Sequence, residues 1–330
     1  MKTLNIGVIG VGHLGSLHAK MLSAIEGVRL AGVYDSDAGK SAKIAAELGT
    51  RAFGSVEELL GEVDATTIAT STSNHFAVAR QALEQGKHLF IEKPITQTVK
   101  EADDLRRQAE GKGVIVQVGH IERFNPAILA LEKFDIKPLF VESHRLAQFN
   151  PRGTDVAVVL DLMIHDIDLI LSFVRSPVRQ VEANGVAVVS DSVDIANARL
   201  QFENGCVANV TASRISQRRM RKMRMFQPNT YFSIDFSEGV AEVFRLVGED
   251  EPDIKGTMML GELGSGAHKR KIVYEQPEVK EVNALKYELE LFAGSIRENR
   301  RPIVGAEEGS RALEVANIIM EKISQQKLPL

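Results

Sequence analysis

At 330 residues, the chain is long enough for two domains that each bury a core of their own. It is 44% hydrophobic and 25% charged with a net charge of −4, so it has no overall attraction to nucleic acid or to an anionic membrane. The longest apolar run, residues 156–174, contains four ionisable side chains and is not expected to span a membrane. Because Cys206 is the single cysteine, no intrachain disulfide can form, and we expect a reducing, cytoplasmic location.

The first element is a short apolar strand pattern that runs directly into Gly10-x-Gly12-x-x-Gly15 and then into leucines at helical spacing. Glycine lets the backbone reverse at Gly10, lets a pyrophosphate approach at Gly12, and lets the helix pack on its strand at Gly15. The N–H groups of the first helical turn, at His13 and Leu14, are free to bind the phosphates. The pattern predicts a dinucleotide-binding unit; the alternative is a tight turn that binds nothing.

A second predicted strand, Val28–Tyr34, ends at Asp35, 20 residues after Gly15. A carboxylate at this place accepts a hydrogen bond from the adenosine ribose and repels a 2′-phosphate. No arginine follows directly, although Lys40 is close enough in sequence to weaken the preference. We therefore predict NAD rather than NADP as the cofactor.

Strand and helix patterns then alternate as far as residue 119, which indicates βαβ units and a doubly wound parallel sheet, the Rossmann arrangement. Ligands of such sheets bind at the carboxyl ends of the strands. The polar residues that directly follow predicted strands are Asp35, Thr70, Ser71, Glu92 and Lys93. We predict a dinucleotide-binding domain over residues 1–121, with these side chains at its cofactor site.

After Gly119 the pattern changes to long runs of alternating polar and apolar residues, with Asn204-Gly205 as a hairpin turn. These runs indicate a large, mostly antiparallel open sheet. Helices are predicted at residues 126–134, 155–174, 281–298 and 306–324, and a loop or interface segment at 250–280. The second domain, residues 122–330, is therefore expected to be an α+β domain for substrate binding and oligomerisation.

One predicted helix carries Asp161, His165 and Asp168 at spacings that bring them to one face. Burial of such a polar stripe costs several kcal/mol unless its groups are paired or face a ligand cleft. The stripe is either catalytic or structural, and in the structural case it is a satisfied buried network or Asp168 merely holds His165. Without a second histidine or a cysteine nearby, we predict no metal site.

Lys93 follows a strand at the edge where the cofactor is expected, and Pro94 restricts its backbone. A positively charged nicotinamide disfavours a neighbouring ammonium group, which would make Lys93 useful in acid–base chemistry. The alternative is an exposed lysine at a strand end.

Taken together, these segments resemble the glucose-fructose oxidoreductase / inositol dehydrogenase (Gfo/Idh/MocA) family of NAD(P)-dependent sugar dehydrogenases over nearly the whole chain. The motifs that carry the resemblance are Gly10-x-Gly12-x-x-Gly15, Ile68-Ala69-Thr70 followed by His75, Gly86-Lys87-His88 leading to Glu92-Lys93-Pro94, Gly119-x-x-x-Arg123-Phe124-Asn125-Pro126, and Asp161-x-x-x-His165.

The resemblance implies that Lys93, Asp161 and His165 are catalytic. His165 would accept the proton of the sugar hydroxyl and Lys93 would bond the same oxygen, although the two roles can be exchanged. His75 is expected at the cofactor, and His120 and Asn125 at the substrate.

A narrower resemblance, carried by 119–126, 149–155 and 161–168, is to the branch that oxidises the 3-hydroxyl of UDP-N-acetylglucosamine, with related enzymes acting on the uronate. A diphosphate needs cations, and Arg123, Arg152 and the basic run 214–224 are candidates, of which Arg152 is favoured for phosphate contact. Most of the run is better explained as a solvated hairpin face or a subunit contact. The branch serves lipid A or polysaccharide biosynthesis with an aminotransferase as the next enzyme. The family also implies a homodimer or homotetramer.

Two other functions stay open. An inositol-type dehydrogenase of a free polyol would not need the arginines. A non-catalytic NAD-binding regulator would be expected to lack the lysine or the histidine, and both are present.

Overall fold

The computed structural model describes residues 3–150, 156–248, 256–265 and 269–326. Its first sheet has six parallel strands in the order β3-β2-β1-β4-β5-β6, which confirms the predicted Rossmann arrangement. The chain reverses its direction of winding between β1 and β4, and ligands of such sheets bind at that point. The strands are β1 Leu4–Ile9, β2 Val28–Tyr34, β3 Arg51–Ala52, β4 Ala65–Ile68, β5 His88–Glu92 and β6 Val116–Gly119.

Side-chain capping fixes the start of several helices of this region. They are α1 His13–Leu22, α2 Ala38–Leu48, α3 Val56–Glu62, α4 Thr72–Glu84 and α5 Val99–Lys112. Asp37 caps α2, and Thr98 forms a capping box with Glu101 at α5. Helix α4 begins at Thr72 rather than at Asn74, where its start was predicted, and Ser71 is the N-cap residue.

Contacts divide the chain into two units, 1–121 with 283–314, and 122–282 with 315–330. One boundary between the units falls after residue 121, and residues 283–314 group with the first unit. The reason is the apolar face of helix α8, Ala284–Glu298. Its Leu289 and Phe292 are fully buried in the core with residues of β1 and β5. The ring centroids of Phe292 and Phe90 are 5.8 Å apart.

The second sheet has nine strands in the order β14-β15-β13-β12-β11-β7-β10-β9-β8. All neighbours are antiparallel except β7 and β10, which confirms the predicted mostly antiparallel sheet. The strands are β7 Phe140–Leu146, β8 Val178–Val186, β9 Ile195–Phe202, β10 Val207–Ser213, β11 Met220–Gln227, β12 Thr230–Asp235, β13 Val240–Gly248, β14 Thr257–Leu263 and β15 Arg270–Glu275. Gly205, at φ +87°, lies in the predicted hairpin turn between β9 and β10.

The prediction of a loop over 250–280 is wrong for the two segments that form β14 and β15. Its glycines suggested irregular backbone, but hydrogen bonding to β13 extends the sheet through β15 to β14. Within this range, residues 250–255 and 266–268 lie outside the described part of the chain.

Three further elements complete the second unit. Helix α6, Pro126–Leu129, is shorter than the helix predicted to reach 134. The main helix begins with a π-helical turn, Val159–Met163, and continues as α7, Ile164–Val174. Helix α9, Ala306–Ser324, has the predicted bounds. None of the described helices is long and apolar enough to cross a membrane.

The outward face of the nine-stranded sheet carries an aromatic ladder. Neighbouring rings are 4.7–5.8 Å apart, and each lies in register with the next across the strands. Its members are Phe140, Phe226, Tyr231, Phe244 and Tyr274. Alternate residues on the same strands, such as Val141 and Phe232, are buried in the core instead.

Candidate active site

The glycine turn between β1 and α1 fits a dinucleotide. Gly10 has φ +85°, and a Cβ there would lie 2.8 Å from the backbone of Ala69 and Thr70. A Cβ on Gly15 would lie 1.8 Å from the carbonyl oxygen of Gly10, whereas one on Gly12 would meet no atom within 4 Å. Two glycines are thus required by the protein's own backbone, and the third leaves open the surface that a pyrophosphate would approach.

Asp35 is tied to this turn. Its Oδ2 accepts a hydrogen bond of 2.8 Å from the backbone N–H of Val11, and its Oδ1 accepts one of 2.9 Å from Asp37. A carboxylate has about four acceptor positions, so both oxygens keep capacity for ribose hydroxyl groups. The carboxylate therefore fixes the turn and remains able to bind a ribose.

A cavity of about 360 Å³ opens at the point where the winding reverses. Five of the predicted cofactor residues line it: Gly10, Gly12, Asp35, Thr70 and Ser71. Its wall also includes Tyr34, Val56, Ala77 and Val78, which the sequence analysis missed. Val56 opens a helix and Ala77 and Val78 lie within another, and nothing in their local pattern distinguishes them from ordinary helix residues.

A larger cavity, about 660 Å³, lies at the amino ends of the strands, lined by residues such as Leu4, Asp64, Lys87 and Arg297. Parallel sheets bind ligands at the carboxyl ends instead. The smaller cavity is therefore the candidate cofactor site.

The other predicted cofactor residues lie outside the cavity lining. His13 and Leu14 are exposed in the first turn of α1. His75 is buried, with Nδ1 2.9 Å from the carbonyl oxygen of Pro94 and Nε2 3.1 Å from that of Thr70. Burial lowers the pKa of His75, against the opposing effect of these carbonyls. A neutral ring carries one N–H, so His75 donates to only one of the two carbonyl groups at a time.

Glu92 and Lys93 end strand β5. Glu92 accepts a 2.8 Å hydrogen bond from Nε2 of His18 through Oε1, and a 3.2 Å bond from the backbone N–H of Lys93 through Oε2. Burial alone would raise the pKa of Glu92, but the hydrogen bond and charge of His18 and the charge of Lys93 outweigh it and lower the pKa. The carboxylate is consequently ionised at neutral pH.

In the second unit, Asp161 lies within the π-helical turn and His165 in the first turn of α7. Both are half-buried, whereas Asp166 and Asp168 are fully buried. A π turn contains an extra residue and redirects side chains, and such turns are frequent at functional sites. The residue spacing predicts an α-helix here, because it does not distinguish an α-helical turn from a π-helical one.

The buried aspartates of α7 are paired with arginines. Asp168 accepts bonds of 2.5 and 2.9 Å from Arg123, and Asp166 accepts bonds of 2.7 and 3.0 Å from Arg145. Arg145 also donates to Glu122 at 3.0 Å, and Arg221 pairs with the same carboxylate. This part of the stripe matches the buried-network alternative rather than a catalytic role for Asp168.

The predicted substrate residues differ in surroundings. The guanidinium group of Arg123 forms an ion pair with Asp168, and only 14% of the Arg123 side chain is exposed. The guanidinium group is therefore not open to a diphosphate. Asn125 caps α6 by accepting a bond from Ala127. His120 is fully buried. Arg152 lies outside the described residues.

Most of the basic run 214–224 is engaged within the protein. Arg214 is buried beside Asp194, and Arg221 pairs with Glu122. Two exposed cations on the sheet pair with carboxylates, Lys222 with Asp235 and Arg224 with Glu142. In the described part of the chain, Arg218 and Arg219 are exposed and form no ion pair. They are the members of the run that remain available to a ligand.

Both halves of the chain match models of known protein domains. A model of an oxidoreductase family, the GFO/IDH/MocA NAD-binding Rossmann fold, matches residues 4–120, and a model of the GFO/IDH/MocA C-terminal domain matches residues 140–242.

Individual relatives extend these matches. UDP-N-acetylglucosamine 3-dehydrogenase of Acidithiobacillus ferrooxidans is 40% identical over 314 residues, 95% of each chain. A crystal form of that enzyme, GnnA, superposes with a TM-score of 0.87 at 38% identity, covering 98% of both chains. scyllo-Inositol 2-dehydrogenase (NAD(+)) of Bacillus subtilis is 30% identical over 228 residues, 63% of this chain and 67% of the relative.

Proposed function

This chain belongs to the GFO/IDH/MocA oxidoreductase family and carries its NAD-binding Rossmann domain, and from that premise we propose that it oxidises the C3 hydroxyl of a nucleotide sugar such as UDP-N-acetylglucosamine. The observation that carries the proposal is the similarity to the A. ferrooxidans enzyme over 95% of both chains. The inositol dehydrogenase from B. subtilis matches a smaller share, 63% of this chain.

The cofactor is proposed to bind at the glycine turn. Gly12 admits the pyrophosphate, the N-terminus of α1 supplies backbone N–H groups, and Asp35 accepts from the ribose. The apolar wall of the 360 Å³ cavity suits the adenine ring. Bound NAD supplies the hydride acceptor. Because Asp35 would repel a 2′-phosphate, NAD is favoured over NADP.

Three side chains are proposed to carry the reaction. As the C3 hydrogen leaves as a hydride, the hydroxyl must lose its proton, and His165 accepts it. The ammonium group of Lys93 stabilises the negative charge that develops on the oxygen. Asp161, one turn before His165, binds the sugar. The half-burial of all three is consistent with contact to a small substrate.

The diphosphate of the substrate is proposed to bind Arg152 and the exposed pair Arg218 and Arg219. Arg123 is no longer a candidate for this contact, because it is paired with Asp168. The loop that carries the pair adjoins the strand end before residue 150, because the backbone N–H of Ser216 donates to Ala147. Arginine suits this role because its fork binds phosphate oxygens in a bidentate manner.

We further propose a cytoplasmic homo-oligomer, a dimer or tetramer, that supplies an aminotransferase in lipid A or polysaccharide biosynthesis. The aromatic ladder supports self-association, since five adjacent rings on an outward sheet face form an apolar strip of the kind found at subunit interfaces. The 3-keto product would be the natural substrate of an enzyme that installs an amine.

The test is NADH formation at 340 nm with UDP-N-acetylglucosamine, UDP-N-acetylglucosaminuronate and myo-inositol in parallel, with a ketone trap to pull the equilibrium. We expect turnover of a UDP sugar and its loss in Lys93→Ala and His165→Ala. The exposed Lys100→Ala is the matched control and should keep wild-type activity.

Turnover of inositol alone would refute the nucleotide-sugar assignment and leave a polyol dehydrogenase. Binding of NAD without turnover of any of the three would favour the regulator.

A further inference from the structure

Two buried arginines hold the ends of the segment that carries Asp161 and His165, and the function proposed above gives them no role. Asp161 lies in the π-helical turn, and His165 lies in the first turn of α7. The arginines are Arg145 and Arg214, and each is only 5% exposed. Because their side chains are closed to solvent, their effect on a ligand can only be exerted through the residues that they bind.

The first arginine contact lies just before the π-helical turn. Arg214 directly follows β10 and Asp194 directly precedes β9, the strand that pairs with β10. Nε of Arg214 is 3.8 Å from Oδ1 of Asp194, and the backbone N–H of Arg214 donates to the carbonyl oxygen of Asp194 at 3.0 Å. Nη2 of Arg214 donates to the carbonyl oxygen of Val156. The arginine therefore joins the ends of two paired strands to the start of the segment.

This contact reaches Asp161 through Ala157. Val156, the residue before Ala157, is bound by the arginine, and the N–H of Val158, the residue after it, donates to the carbonyl oxygen of Val193 at 2.9 Å. The carbonyl oxygen of Ala157 in turn accepts the N–H of Asp161 at 3.1 Å. A displacement of Val156 would thus be transmitted to the backbone of Asp161 through one hydrogen bond.

The second arginine contact lies just after His165. Asp166, the next residue, accepts bonds of 2.7 and 3.0 Å from Nε and Nη2 of Arg145, which projects from β7. Asp168 is bound by Arg123 and lies about 200° from Asp166 around the helix. Two bidentate pairs on nearly opposite sides therefore fix the rotation of α7, and with it the direction of His165.

Both contacts depend on the shape of the guanidinium group as well as on its charge. Arg145 uses three nitrogens, two for Asp166 and Nη1 for Glu122 at 3.0 Å. Arg214 reaches Asp194 and Val156 from different nitrogens of one planar group. A lysine retains the positive charge but presents a single nitrogen. Substitution by lysine consequently removes the geometry and preserves the charge.

We propose that Arg145 and Arg214 are positioning residues that fix Asp161 and His165 in the geometry required for the reaction. The inference rests on the proposed function, which makes these two side chains reacting groups. Neither arginine touches the substrate. A displacement of a reacting group by about 1 Å can reduce the rate about a hundredfold, so small shifts at either end of the segment should be visible in kcat.

The experiment compares three identical substitutions in one sheet. Arg145→Lys and Arg214→Lys test the proposal, and Arg245→Lys is the matched control. Arg245 lies on β13, pairs with Glu275 at 2.9 Å and has 24% of its side chain exposed. With the UDP sugar that the wild type oxidises, we expect kcat to fall about ten- to hundredfold in the two test variants and KM for NAD to change less than about threefold. The control should keep kcat within about threefold of wild type.

Hydrogen–deuterium exchange followed by peptide mass spectrometry gives a second readout without cofactor or substrate. The backbone amides of residues 157–168 should exchange about tenfold faster in the two test variants, because local opening becomes easier when the arginine contacts are lost. Exchange in strand β12 of the same sheet should stay within about threefold of wild type. Arg245→Lys should leave exchange in 157–168 unchanged.

The outcomes separate positioning from general destabilisation. A test variant that keeps the kcat of the control overturns the proposal for its arginine, and so does an equal loss of kcat in Arg245→Lys. If Arg145→Lys does not fold, as judged by circular dichroism, Asp166→Glu takes its place, since it keeps the charge and changes the length of the pair. If the wild type turns over none of the sugars, the proposed function fails. Exchange in 157–168 then decides whether the arginines hold the segment, and unchanged exchange overturns that inference.

Discussion

The contrast between Gly12 and Gly15 offers a sharp test of the cofactor site, because alanine is expected to act differently at the two positions. At Gly12 the backbone has φ −62° and ψ −157°, which alanine can adopt, and its Cβ would meet no protein atom within 4 Å. At Gly15 the new Cβ would lie 1.8 Å from the Gly10 carbonyl oxygen, so the helix must move away from its strand.

The magnitudes follow from these contacts. Gly12→Ala should leave the free energy of unfolding unchanged or raise it by up to about 1 kcal/mol, because alanine restricts the unfolded chain. Gly15→Ala should lower it by about 1–3 kcal/mol or more, as overpacking does. At the cofactor, Gly12→Ala should cost one charge-assisted hydrogen bond to the pyrophosphate, about 1.5–3 kcal/mol, or roughly a ten- to hundredfold rise in Kd.

Differential scanning calorimetry without ligand and isothermal titration with NAD measure the two effects separately. We expect Gly12→Ala to keep its melting temperature and lose affinity. A fall in melting temperature as large as that of Gly15→Ala would refute the reading of an open surface at Gly12. Wild-type affinity for NAD in Gly12→Ala would show that the pyrophosphate does not approach this residue.

Three further predictions concern the second unit. Arg123→Met and Asp168→Asn should each destabilise the protein by about 3–5 kcal/mol in chemical denaturation, because each leaves a buried charge or its donors unpaired; a double variant as unstable as the sum would contradict the pairing. Hydrogen bonds from the backbone of Val188, Val189 and Ser190 outweigh burial and lower the pKa of Asp194. Its folded pKa lies below the unfolded one, so this stability is present above about pH 4 and lost below it; the melting-temperature gap to Asp194→Asn should shrink as the pH falls through that range. Tyr231→Glu in the aromatic ladder should shift sedimentation velocity towards the monomer, while Arg179→Glu on the opposite edge strand should not.

The buried charges beneath α7 explain why the polar stripe was difficult to interpret from spacing. The α-helical spacing predicts that Asp161 and His165 share a face with Asp168, yet Asp168 pairs with Arg123. The arginine that completes this pair is 45 positions away in sequence, and Arg145, which binds Asp166, comes from a strand. Pairing of this kind depends on which element packs against the helix. The local hydrophobic period of the sequence does not specify that element.

The sequence by itself determined the alternation of strands and helices in the first domain, the parallel and antiparallel sheets, the glycine turn with Asp35, and the family, which the family models confirm. It missed strands β14 and β15. These depend on short-range rules: hydrophobic period, turn residues and motif spacing. The catalytic assignment of Lys93, Asp161 and His165 stays a prediction.

Only the tertiary structure decided which polar side chains were already engaged. It paired Arg123 with Asp168, joined His18 to Glu92 across 74 residues, and grouped helix α8 with the first unit through Phe292. The physical reason is that burial makes an unpaired charge or an exposed apolar face costly, and the partner that removes this cost is chosen by packing between elements distant in the chain.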